Sequence, residues 1–176
     1  MTVPSTPAAL KAAISFEDFN ALVAVDYDEK ASAYIGHDYW RTTRAFRYYF
    51  NDPSLTTYVE VPAGYLTDGA TVPRLFWNIL PPWGRYGQAA ILHDYLREHL
   101  TKVVKGQTVS MSRPEADKAF KEGMKALAVP RWKRNVMYIA VVAYATLRGI
   151  KGVDIDSSKA AYLAKYPDAI ATLPTV

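Results

Sequence analysis

From Tyr39 onward the pattern of apolar positions changes to residue types that suit a pleated surface. Trp40, Thr42, Ala45, Phe46, Tyr48 and Phe50 are largely aromatic or β-branched, and Asn51-Asp52-Pro53-Ser54 follows with strong turn chemistry. Thr56 to Val61 reads as the return strand, so an antiparallel hairpin is predicted over about residues 40–61. The period then changes. Ile91, Leu92, Tyr95, Leu96 and Leu100 recur at helical spacing and predict a helix over about 88–100. Ser112-Arg113-Pro114-Glu115 is a capping box with proline in the first turn, and it starts a helix to about 127 with Phe120, Met124 and Leu127 on its core face. Val129-Pro130 stops it, and a third helix is predicted over about 131–148. Its centre, Val136 to Ala145, is apolar on nearly every face but too short for a bilayer, which needs roughly twenty residues, so a buried core helix is expected.

Strands followed by helices indicate an α+β domain, a small antiparallel sheet packed against three main helices. Residues 1–176 are read as a single domain with its core at about 39–149. An irregular arm is expected over 1–32, and a tail over 150–176 with one short helix near Ser158 to Lys165. Pro73 to Leu80 is compatible with a further short helix, and Lys105-Gly106-Gln107 with a chain break.

Composition narrows the chemistry. Half of the 176 residues are apolar, enough for a core without staples, and the absence of cysteine removes disulfides and thiolate sites. The net charge of +4 is spread without a run of like charges, so no nucleic-acid partner is expected. Neither a signal peptide nor a transmembrane segment is legible, which points to the cytoplasm of the producing cell or a particle packaged from it.

The residues with chemistry to offer are few. His93 lies beside the apolar stripe of its helix and is expected half buried, with Asp94 about 100° further round, so the two serve different partners. Asp117 falls on the core face, three residues before Phe120, where an unpaired carboxylate costs several kcal/mol. His93, Arg97 or a metal are its natural partners. A His-carboxylate pair holds the imidazole in one tautomer and strengthens it as a base. Each residue also has a plainer role. His93 suits a satisfied core histidine, Asp68 before Gly69 suits an Asx turn, and Arg74, Arg85 and Arg97 suit surface cations. Trp77, Trp83 and Tyr86 fit either the core or the wall of a pocket over His93. His37-Asp38 repeats the dipeptide without supporting neighbours.

The runs Val61 to Arg74 (with Thr67-Asp68-Gly69-Ala70), Pro82 to Tyr86, Ile91 to Leu96 (with His93-Asp94-Tyr95-Leu96) and Glu115-Ala116-Asp117 resemble the phage-associated domain of unknown function numbered 1353. The likeness covers about Tyr39 to Gly149 and implies a viral origin. The pairing of an HD helix with an AD helix is also similar, more weakly, to bacterial and viral phospholipases of the A2 type. That similarity implies His93 as general base, Asp117 as the carboxylate orienting it and Asp94 as a calcium ligand; apart from it, Asp68 on its constrained loop is a further metal candidate beside its Asx-turn role. This chain departs from the pattern at Trp83 to Gly87, which places Arg85 where a calcium-binding loop belongs, and at Glu98, where a tyrosine often stands.

These readings lead to an expected virion- or tail-associated phage protein with a hydrolase-like His-Asp site, found in the virion or the host cytoplasm among other virion proteins. Two alternatives stand beside it. One is a calcium-dependent hydrolase of lipid or cell-envelope ester or amide bonds, and the other a host-interaction protein expressed in the infected cell.

Overall fold

The computed structural model describes residues 18–69 and 86–167. Within them the chain is α+β, with two small antiparallel sheets and five helices. One sheet has the order β1-β2-β5, with β1 at Val25–Tyr27, β2 at Trp40–Thr42 and β5 at Leu66–Thr67. The other runs β3-β4-β6-β7, with β3 at Phe46–Tyr49, β4 at Thr57–Val61, β6 at Thr101–Val104 and β7 at Gln107–Ser110. The helices are α1 (Glu29–Ile35), α2 (Gly87–His99), α3 (Arg113–Ala126), α4 (Arg131–Leu147) and α5 (Ser157–Lys165).

The hairpin expected over 40–61 divides. Phe46 pairs with Val61 and Tyr49 with Tyr58, as a hairpin about Asn51 to Ser54 requires, whereas Trp40–Thr42 leaves for the other sheet. The turn chemistry explains the part that holds. The Asp52 carboxylate accepts from the backbone N–H groups of Ser54 (2.9 Å), Thr56 (3.1 Å) and Thr57 (2.7 Å). Phe46, Tyr48, Val59 and Val61 turn inward against Ile91, Leu92 and Leu96 of α2 and Phe120 and Met124 of α3.

Three segments depart from expectation. The arm read as irregular is in part built into the fold, since Phe19 is buried against Phe46 and Tyr48 and residues 25–35 supply β1 and α1. Asp28 caps α1, accepting from Ala31 N at 2.8 Å. The expected break at Lys105-Gly106 is the turn of a β-hairpin. Both residues have positive φ, at 49° and 80°, which lets a two-residue connection follow the strand twist. The helix over 131–147 forms, but it is not a buried core helix. Met137 and Ala145 are buried, whereas Trp132, Val136, Ile139, Tyr144 and Leu147 are exposed, the last at 87%. α4 is a surface helix: among the described elements α3 packs on the face that holds Met137 and Ala145, and the other face stays exposed. Leu147→Gln is therefore expected to leave stability within about 0.5 kcal/mol. Met137→Ala is expected to cost about 2 to 4 kcal/mol, read by urea denaturation.

The expected helix near Ser158 to Lys165 is α5, and it is not peripheral. Tyr162 packs with Ala31, Tyr39 and Leu66 in a second small core. The segment expected as a helix over Pro73 to Leu80, with Arg74, Trp77, Trp83 and Arg85, lies outside the described residues.

Candidate functional site

α2 and α3 are the scaffold. Their close approach is set by Gly123, where a Cβ would stand 3.3 Å from Phe19, 3.5 Å from Ala89 and 3.6 Å from Leu92. The Ser112–Glu115 capping box starts α3 and puts Asp117 at the start of its second turn, facing α2.

His93 Nε2 lies 2.7 Å from Asp117 Oδ1, and the two are 3% and 4% exposed. The imidazole stacks on Phe120, with centroids 4.8 Å apart. Burial pushes its pKa below the ordinary histidine range, a larger effect than the opposing pull of Asp117, and Arg97 and Arg113 add to the lowering. A neutral imidazole bonded to a carboxylate carries its proton on Nε2 and keeps the lone pair on Nδ1. This is a hydrogen bond that selects a tautomer, not an ion pair.

Asp117 has a second neighbour in Arg113 Nε at 3.6 Å, one helical turn earlier. Arg113 is itself 5% exposed and has Asp154 Oδ2 at 3.9 Å, and Asp154 is held by Arg97 through both its carboxylate and its backbone N–H. From the neutral His93 a chain of alternating charge thus runs through Asp117, Arg113 and Asp154 to Arg97, tying α2, α3 and the segment after α4 together.

Asp94 points elsewhere, as its position about 100° round the helix requires. Its Oδ2 accepts from Thr67 Oγ1 at 3.1 Å, and that hydroxyl also receives the backbone N–H of Gly69 at 3.0 Å. Burial, then the neighbouring charge of Asp68, push the Asp94 carboxyl well above the usual carboxylate range, while Lys159 and Arg97 pull it down. Lys159, from α5, is 3% exposed, bonds both oxygens of Glu98 at 2.6 and 2.9 Å, and lies 4.2 Å from the centre of the Tyr65 ring. Tyr39 stands in the same field. Its hydroxyl is pushed up by burial and then by Asp68, Asp156, Asp94 and Glu98.

The four residues singled out from sequence therefore fall into two groups. His93 and Asp117 are bonded across the helix pair, and Asp94 and Asp68 share a second, acidic group with Thr67. These oxygens do not by themselves fit a calcium ion. Among the described residues no group of three His, Asp or Glu side chains has metal-holding geometry, and the cations Lys159 and Arg97 already act on Asp94. Tyr86 is 3% exposed and belongs to the main core. His37 and Asp38 are exposed. The His37 ring lies tilted against Tyr39 with centroids 4.8 Å apart, and Asp38 accepts from Tyr27 Oη at 3.5 Å.

Sequence reasoning missed Arg113, Lys159, Glu98 and Asp154. Arg113 carried a signal, since it precedes Asp117 by four residues on one helix. Lys159 and Asp154 carried none, because they reach the site from far along the chain.

Fold and site together define an α+β protein organised on a helix pair that encloses a His-carboxylate centre. The chain belongs to the family described as Protein of unknown function (DUF1353), which matches residues 40–141. A 97-residue stretch is 37% identical to the uncharacterized protein y4jT of Sinorhizobium fredii. It covers 54% of this chain and 26% of that relative, so the match spans about a quarter of the relative's length. No solved structure matches the chain.

Proposed function

We propose that this chain is a virion- or tail-associated phage protein with a hydrolytic site, in which His93 is the general base and Asp117 the carboxylate that orients it. The observation that carries the reading is the 2.7 Å contact between His93 Nε2 and Asp117. It leaves Nδ1 as the basic atom. In the reaction Nδ1 takes a proton from a water as the water oxygen bonds to the carbonyl carbon of an ester or amide, and the imidazolium then returns that proton to the departing alkoxide or amine. Asp117 stabilises the imidazolium between the two steps. Asp94 and Asp68 serve a cationic group near the site. The viral setting rests on the phage-associated elements of residues 61–74, 91–96 and 115–117.

A second reading is supported by the low exposure of His93, Asp117 and Arg113. Here the same chain of charges is a polar clamp that fixes the packing of α2 on α3. One experiment separates the two. Purified protein is assayed on fluorogenic acyl esters, phospholipid vesicles and isolated cell envelopes across pH, alongside His93→Asn with matched melting behaviour. The hydrolytic reading expects turnover whose acid limb lies below about pH 6.5, because burial lowers the His93 pKa from that reference value. It also expects a loss of 100-fold or more in His93→Asn, the order of a general-base contribution. No turnover on any of the three substrates, together with normal virion incorporation of His93→Asn, sinks it in favour of the clamp.

A further inference from the structure

α4 exposes what a core helix would bury. Trp132 is 53% exposed, Val136 45%, Ile139 63% and Leu147 87%, and Ala140 and Ala143 are exposed with them. At 100° per residue these positions fall within roughly a quarter of the helix circumference, so they form one stripe. It runs about 22 Å from Trp132 to Leu147 at the rise of an α-helix. The opposite face, with Met137 and Ala145, is buried in the fold, so the stripe is a second apolar face of an anchored helix. Val153 and Ile155, at 58% and 42%, extend apolar exposure beyond its C-terminus.

Along the helix and its immediate flanks the charge has one sign. Between Glu122 and Asp154 the chain has no acidic residue and six cations, Lys125, Arg131, Lys133, Arg134, Arg148 and Lys151. Three stand at the start of α4 and two at its end, so each end of the apolar stripe is capped by positive charge. A second copy of the chain is a poor occupant, because pairing two such helices in either direction brings cationic end against cationic end. A plane of negative charge satisfies both ends at once and needs no register. A helix with aromatic and aliphatic side chains on one exposed face and Lys and Arg at its two ends lies in the headgroup region of a bilayer, apolar side down.

We propose that α4 is a docking surface for an anionic lipid membrane, with Trp132, Val136, Ile139 and Leu147 entering the interface and Arg131, Lys133, Arg148 and Lys151 meeting lipid phosphates. The docking does not depend on catalysis. It gives an envelope-directed protein a way to sit on its target whether or not His93 is a base.

The test is cosedimentation of the full chain with vesicles of phosphatidylcholine alone and of equal parts phosphatidylcholine and phosphatidylglycerol, at low and high salt. Wild type is expected to bind the anionic vesicles at least tenfold better than the neutral ones and to release as salt rises. Leu147→Glu, at the most exposed position, and the pair Arg148→Glu/Lys151→Glu are expected to lose most of that binding while melting like wild type. His93→Asn is expected to bind unchanged, which separates this surface from the proposed site. Absence of binding to anionic vesicles overturns the proposal, as does equal binding to both compositions. Sedimentation velocity that finds a wild-type dimer broken by Leu147→Glu also overturns it and assigns the stripe to a second copy.

Discussion

Replacing Asp117 with alanine is expected to destabilise the protein by about 3 to 5 kcal/mol, the usual cost of removing one member of a buried charged pair. In a chain of this size that lowers Tm by roughly 10 °C. The magnitude follows from what is left behind. His93 Nε2 loses its acceptor at 2.7 Å, and the Arg113 guanidinium, 5% exposed, loses the nearer of its two carboxylates. Asp117→Asn keeps the shape and an acceptor for Nε2 but removes the charge beside Arg113, so it is expected to fall between wild type and alanine. Denaturant melts of the three proteins order them. If alanine and wild type melt within 1 kcal/mol of each other, the buried network contributes little and the clamp loses its support.

The second large effect is expected at Lys159, which no feature of the sequence marked. Lys159→Ala removes the ammonium held 2.6 and 2.9 Å from the Glu98 oxygens and takes a cation away from Asp94. A cost of about 3 kcal/mol is expected, because Glu98 is left partly buried and Asp94 and Asp68 repel with less compensation. Glu98→Gln in the same background is expected to recover a part of that loss, which a double-mutant cycle measures directly. The sign of the pH dependence gives an independent check. A carboxyl whose folded pKa is raised gains stability as pH falls through that pKa. Removal of Lys159 raises the Asp94 pKa further and is therefore expected to cost more at pH 8 than at pH 5. Equal cost at both values would mean that Lys159 does not act on the Asp94 carboxyl.

The relation between these residues and the sequence is uneven for a physical reason. Ser112, Pro114 and Glu115 announce the start of α3 because a capping box closes within four residues, and Asp52 announces its turn because its carboxylate bonds N–H groups two to five residues away. Asp117 on an apolar stripe beside a helix carrying His93 was a legible demand for a partner, and the demand is met by that residue. Asp94 facing away from His93 follows from helical geometry alone.

What the chain could not declare locally was where each element would dock. Trp40–Thr42 has the alternation of a strand in either sheet, and only its pairing with Leu66–Thr67 assigns it. Lys105-Gly106 suits a break or a hairpin equally until β6 finds β4. The apolar centre of α4 describes what the helix can contact, not how much the fold supplies. Composition alone determined that this is a chain without thiol chemistry, and local pattern determined the α+β order, the helices, the turn and the divergence of His93 from Asp94. Tertiary structure decided that α4 is left half uncovered and that Arg113, Asp154 and Lys159 complete the polar network around His93 and Asp94. Those contacts join segments too far apart for any sequence period to record.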